Sequence, residues 1–184
     1  QVKTLKNTVA KGTSDAELEL FLEVAKRRRM DPFTGQIHCV MRNVRNPDTE
    51  QWEKQMTIQI GIDGFRSTAG RTSALDGIEG PFWCGPDGEW KDVWLEPPNP
   101  TAAKVIVHRK GISRPFVSIA LWREYVQTKR DKTPTRTWLE RGVSQLGKCA
   151  EAGALRKGFP EELGNLYSFE EMDQAENPEP LPTS

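Results

Sequence analysis

Long runs at helical spacing stand only at the two ends of this chain. Between about Gln36 and Ala120, short apolar runs are broken repeatedly by Gly, Pro and Asn, which admits strands and turns and at most a short helix. Near the start, Ser14 and Glu17 form an S-x-x-E capping box, and Leu18, Phe21, Leu22 and Ala25 follow at helical spacing. A helix is predicted over residues 15–29. It closes in Lys26-Arg27-Arg28-Arg29, where cations suit the negative end of the helix dipole, and Asp31-Pro32 stops it. A second long helix is predicted over residues 137–157, ended by Phe159-Pro160.

Between them, residues 36–41 and 55–60 are predicted strands. In the second, Met56, Ile58 and Ile60 alternate with Thr57 and Gln59. The polar stretch 43–53, with Asn46-Pro47-Asp48, reads as their loop. Asp63 is placed to cap a short helix carrying Phe65, Arg66 and Ala69. Residues 81–94 read as a hairpin around Gly85-Pro86-Asp87-Gly88, and residues 103–109 and 114–120 as an antiparallel pair turning at Lys110-Gly111. A short helix over 121–127 and a polar basic loop over 128–136 complete the order. The expected class is α+β, a small antiparallel sheet and hairpins packed against helices, with a long basic C-terminal helix and no βαβ repeat.

The 184 residues fit one core over 1–169 and an acidic, Pro-rich linker or disordered tail over 170–184. No apolar run approaches the ~20 residues of a membrane helix. Cys39, Cys84 and Cys149 lie far apart and form no CxxC, so neither a disulfide framework nor a zinc cage is indicated. No leader pattern opens the chain, and a reducing, cytoplasmic setting is expected.

The formal net charge of zero conceals a segregated pattern. Residues 101–158 carry 13 basic and 4 acidic side chains, net +9, whereas residues 159–184 carry 7 acidic and no basic ones. Residues 73–100 are net −5 and residues 25–72 net +4. A block as basic as 101–158 suits a polyanion. On an ideal helical wheel, Leu139, Val143, Leu146, Ala150 and Ala154 of the last helix share one side. Arg141, Gln145, Lys148, Ala152 and Arg156 share the other, with Trp138 at its edge. Cations neutralise phosphates and an exposed aromatic can stack on a base. The preceding loop adds Lys129, Arg130, Lys132 and Arg136. Lys104, Arg109, Lys110, Arg114 and Arg123 come from the strands and the short helix.

Catalytic patterns are missing. There is no Walker loop and no G-x-S-x-G elbow. His38 adjoins Cys39 on a strand, where neighbours point to opposite faces, and His108 reads as a satisfied surface histidine. Two other classes stay open. Gly142, Gly147 and Gly153, with Trp83, Trp90 and Trp94, would serve a self-assembly module without a DNA role. Asp63, Asp87 and Asp92 would serve a metal-dependent nuclease.

Three stretches carry a resemblance. They are Asp31-Pro32-Phe33-Thr34-Gly35-Gln36-Ile37, then Gly61-Ile62-Asp63-Gly64-Phe65-Arg66, then Lys148-Cys149-Ala150-Glu151-Ala152 running into Leu155-Arg156-Lys157-Gly158-Phe159-Pro160. In order and spacing they resemble the phage single-strand annealing proteins of the Red beta (Bet)/RecT recombinase family, across about residues 5–172. The resemblance implies a non-enzymatic, ATP-independent protein. Such a protein binds single-stranded DNA and the annealed duplex and anneals complementary strands in phage recombination. It implies a homo-oligomeric ring or helical filament in the cytoplasm of a bacterial host, and an exonuclease partner. No cofactor is implied, magnesium being admitted only as a counterion. The expected DNA contacts are Trp138, Arg141, Gln145, Lys148, Arg156 and Lys157 of the last helix. Lys129, Arg130, Lys132 and Arg136 join them from its approach, and Arg109, Lys110 and Arg66 from elsewhere. Gly35 stands where Red beta has a lysine. Gly142-Val143-Ser144 replaces a basic cluster, so Arg141 or the 129–136 loop must supply that charge.

Overall fold

The capping box at Ser14 forms as the sequence dictates. Its hydroxyl accepts from the Glu17 amide at 3.3 Å, and the Glu17 carboxylate accepts from the Ser14 amide at 2.7 Å. It opens α1 (Asp15–Arg28), which buries Leu18, Phe21 and Ala25. Helix α1 closes on Arg29 in the left-handed region, φ 51°, with the Met30 amide donating to the Ala25 carbonyl at 2.9 Å. The computed structural model describes residues 6, 8–46, 48–95, 97–129, 131–168 and 171. These form two compact units, residues 1–67 and 68–184.

In the first unit, Asp31 accepts from the Phe33 amide at 2.8 Å and so holds a 3-10 turn over Pro32–Thr34. A hairpin follows, β1 (Ile37–Arg45) against β2 (Trp52–Ile60), in unbroken register from Ile37↔Ile60 to Arg45↔Trp52. The strands run further than residues 36–41 and 55–60 and take up both ends of the expected loop. Backbone pairing propagates through polar residues once the register is set by the apolar ones. An Asx turn closes the hairpin, Asn46 Oδ1 accepting from the Asp48 amide at 2.9 Å. Helix α2 (Ile62–Arg71) begins beyond Gly61. Asp63 therefore lies in its first turn rather than at its cap, paired with Arg66 at 3.0 Å.

The second unit is built on a four-stranded sheet of order β4-β3-β5-β6, every neighbour antiparallel. Its strands are β3 (Leu75–Cys84), β4 (Trp90–Lys91), β5 (Ala102–Arg109) and β6 (Phe116–Leu121). The expected short helix is a single turn, α3 (Trp122–Tyr125). Helix α4 (Arg136–Gly158) then packs on β5 and β6, and α5 (Pro160–Leu163) follows it. Ala103, Val105 and Val107 are fully buried on one face of β5. The opposite face carries Lys104, Ile106 and His108, only partly covered. Helix and sheet meet through small residues. A Cβ on Gly147 would lie 3.0 Å from Pro81 Cγ, and one on Gly153 would lie 3.2 Å from Ser118 Cβ. Of the helix glycines offered above as a self-assembly surface, Gly147 and Gly153 are thus covered by the chain's own sheet, and Gly142 is covered by the Trp122 ring of α3. The α+β class with small antiparallel sheets and a long C-terminal helix is the observed one. The expected tail, 170–184, lies outside the described residues apart from Glu171.

Candidate nucleic-acid interface

Helix α4 does not follow an ideal wheel. Arg141 departs from helical geometry at φ −136°, ψ 21°, which shifts the phase of everything beyond it. Trp138 is fully buried, edge-on to Trp122 with ring centroids 5.3 Å apart, and Leu139 is 58% exposed in its place. The outward assignment of Trp138 and the inward assignment of Leu139 are both corrected. Gln145 and Ala152, also expected to face outward, are buried. The middle of α4 is enclosed over most of its circumference, because Cys149, Ala150, Glu151, Ala154 and Leu155 are buried as well.

The expected basic ribbon resolves into two exposed groups, one at each end of α4. At the N-terminal end, a tight turn presents Lys129 and Lys132. The Lys129 amide donates to the Thr133 carbonyl at 2.8 Å, and Lys132 has φ 63°. Asp131 braces this turn by accepting from the Thr133 hydroxyl and amide, and those hydrogen bonds hold its carboxyl below the ordinary value. Arg136 is exposed and pairs with Glu140 at 2.7 Å; Arg141 is exposed at the kink. Arg130 lies outside the described residues.

At the C-terminal end, Lys157 is exposed and donates to the Val117 carbonyl of β6 at 2.7 Å. Lys110 is exposed in the β5–β6 turn, whose Gly111 has φ 80°. Arg109 has a structural task. It donates to the Gly158 carbonyl at 2.8 Å and lies 5.1 Å from the Phe159 ring, satisfying the negative end of α4. Between these ends, Lys148 is half-buried and donates to Gln145 at 3.5 Å. Arg156 is held by Glu171 and the Leu166 carbonyl. Lys157 lies sixteen positions beyond Arg141, about 24 Å of helix at 1.5 Å per residue. In the first unit, Arg66 is exposed beside Asp63.

Two features escaped the sequence reading. Glu171 over Arg156 carries no spacing signal in an acidic run. Lys104 lies on the open face of the sheet, its ammonium 4.4 Å from the Trp90 ring and 5.4 Å from that of Phe82; only strand register brings those three together. His108 pairs with Glu79. All three cysteines are free thiols. Among the described residues, no three His, Cys, Asp or Glu side chains gather as a metal site, and no helix is long and apolar enough to cross a membrane. Asp87 faces Lys91 and accepts from the Glu89 amide, as an ordinary turn carboxylate does.

No protein of curated function matches the chain. The model of the RecT family matches residues 1–182, spanning the Asp31–Ile37 turn, the Gly61–Arg66 motif and helix α4, and the chain belongs to that family.

Proposed function

We propose that the protein binds single-stranded DNA through the cations at the two ends of α4 and anneals complementary strands without ATP. RecT membership points to single-strand annealing in recombination. The observation that carries the reading is the pair of exposed basic groups, Lys129, Lys132, Arg136 and Arg141 at one end, Lys110 and Lys157 at the other. Their separation of about 24 Å along the helix is long enough for a strand to contact both groups several nucleotides apart, about seven at the duplex rise of about 3.4 Å and fewer on an extended single strand.

Annealing needs no covalent step. Two strands repel because each carries a phosphate per nucleotide, and lysines and arginines lower that repulsion by displacing condensed counterions. A backbone held at separated points leaves base edges free, and pairing between bases then selects the partner strand. Trp138 and Gln145 have no part in this contact as they stand, being buried. Contacts this weak act together when subunits are arrayed, so the reading includes a homo-oligomer. It also includes an exonuclease that supplies the single strand, in the cytoplasm of a bacterial host, with magnesium only as a counterion.

The test is one gel of two complementary oligonucleotides with and without protein, ATP and magnesium. Duplex formed without ATP, at conserved strand mass, supports annealing. Loss of strand mass with magnesium favours a nuclease, and unchanged single strands reject both.

A further inference from the structure

Arg156 stands near the C-terminal end of α4, and the segment that follows closes over it. The Leu166 carbonyl accepts from its Nε at 2.9 Å. The two Glu171 carboxylate oxygens accept from its Nη2 at 2.7 and 2.6 Å, and the Tyr167 ring lies 5.1 Å from the guanidinium carbon. Glu171 also accepts from the Ser168 amide at 2.8 Å, which ties the segment to itself. The side chains of Arg156 and Glu171 are 22% and 7% exposed. Tyr125 faces the same pair; its pKa is raised by burial first and by the Glu171 charge next.

A carboxylate and a phosphate make the same demand on a guanidinium, two oxygens against its donors. The carboxylate here comes from the chain's most acidic stretch, residues 159–184, which holds 7 acidic and no basic residues. The arginine belongs to its most basic stretch. A half-buried arginine stripped of its anion is unfavourable, so the pair opens readily only when another oxyanion takes the vacated place.

We propose that residues 164–168 and Glu171 are an internal competitor for nucleic-acid phosphate. The Glu171 carboxylate occupies an anion site on Arg156 in the free protein, and a phosphodiester takes that site when the segment lifts. This rests on the single-strand binding proposed above and adds its regulation. The free protein then binds DNA less tightly than its cations allow, and binding exposes residues 164–168 and Glu171.

Glu171→Gln keeps the shape and removes the charge. Anisotropy of a labelled oligothymidine at fixed salt compares the full chain with this variant. The expected result is binding about tenfold tighter in Glu171→Gln; equal or weaker binding by a folded variant overturns the proposal. Hydrogen exchange on the unaltered chain gives a second reading that needs no variant. Amides 166–168 should exchange faster when oligothymidine is added, and unchanged or slower exchange overturns the proposal. If neither protein binds the oligonucleotide, the proposed DNA binding fails and the competitor with it. If the unaltered chain binds and Glu171→Gln gains nothing, only the competitor fails.

Discussion

Gly64 packs its bare Cα against the carbonyl of Gln36. A Cβ at position 64 would overlap that oxygen and lie 2.7 Å from Ile60 Cγ2. The Gly61 amide donates to the same carbonyl at 3.1 Å. The turn at Asp31–Ile37 and the motif at Gly61–Arg66 are therefore two halves of one contact within the first unit. Gly64→Ala should cost about 1–3 kcal/mol through overpacking against backbone that cannot give way. Gly70, on the same helix, has nothing within 4 Å of its would-be Cβ. Gly70→Ala should stabilise by about 0.5–1 kcal/mol. Urea unfolding of the two variants should move in opposite directions.

Arg29 holds the left-handed position at the end of α1 without being a glycine. Replacing it with Gly relieves about 1 kcal/mol of backbone cost. It removes one cation from the helix terminus, worth about 0.3–1 kcal/mol, but Lys26, Arg27 and Arg28 remain in the last turn. Arg29→Gly should raise the melting temperature by a few degrees at moderate salt, where the lost charge matters least.

Trp138→Ala should cost about 3–5 kcal/mol, as a large aromatic removed from a core does. A base-stacking tryptophan on the surface would instead lose DNA affinity with little change in stability. Chemical denaturation alongside oligonucleotide anisotropy separates the two outcomes.

Lys129, Lys132 and Arg136 changed together to Gln should leave the fold intact, since all three are exposed. The slope of log affinity against log salt should become shallower by about 2, at roughly 0.7 per phosphate contact on a single strand. An unchanged slope would place the DNA elsewhere.

The Glu17 carboxyl is held below its ordinary value, first by the Ser14 amide and then by the Ser14 hydroxyl. A depressed folded pKa gives stability that is fully present above the ordinary value of 4.5 and is lost as pH falls through the lower folded value. Glu17→Gln keeps an acceptor for the capping box but no longer titrates. Melting temperature against pH should therefore fall less steeply below about 4.5 in Glu17→Gln than in the unaltered chain.

Local chemistry was readable wherever it acts within a few residues. Ser14 and Glu17 announce the start of α1, and Met56, Ile58 and Ile60 announce β2 by alternation alone. Both reduce to which neighbours a side chain can reach along its own element. Helix α4 defeated the same method, because its environment is set by elements distant in sequence. Trp122 draws Trp138 inward, Pro81 and Ser118 meet Gly147 and Gly153, and Leu163 and Leu166 are buried beyond the helix end. A wheel of one period also cannot represent a helix whose dihedrals break at Arg141. The charge of the basic block was legible, but not which of its members reach the surface. Arg109 and Arg156 look like any other cations in the sequence and acquire their partners only through folding.

The seating of α4 on side-chain-free positions limits how this protein can vary. A single added methyl would press on the Pro81 ring at Gly147 and on the Ser118 side chain at Gly153, whereas exposed Lys129 or Arg136 can change with little effect on packing. The distance between its two charged ends is thus a fixed dimension, set by a spar seated on the sheet of the second unit. The charge at either end is set by the proposed DNA contact and not by packing.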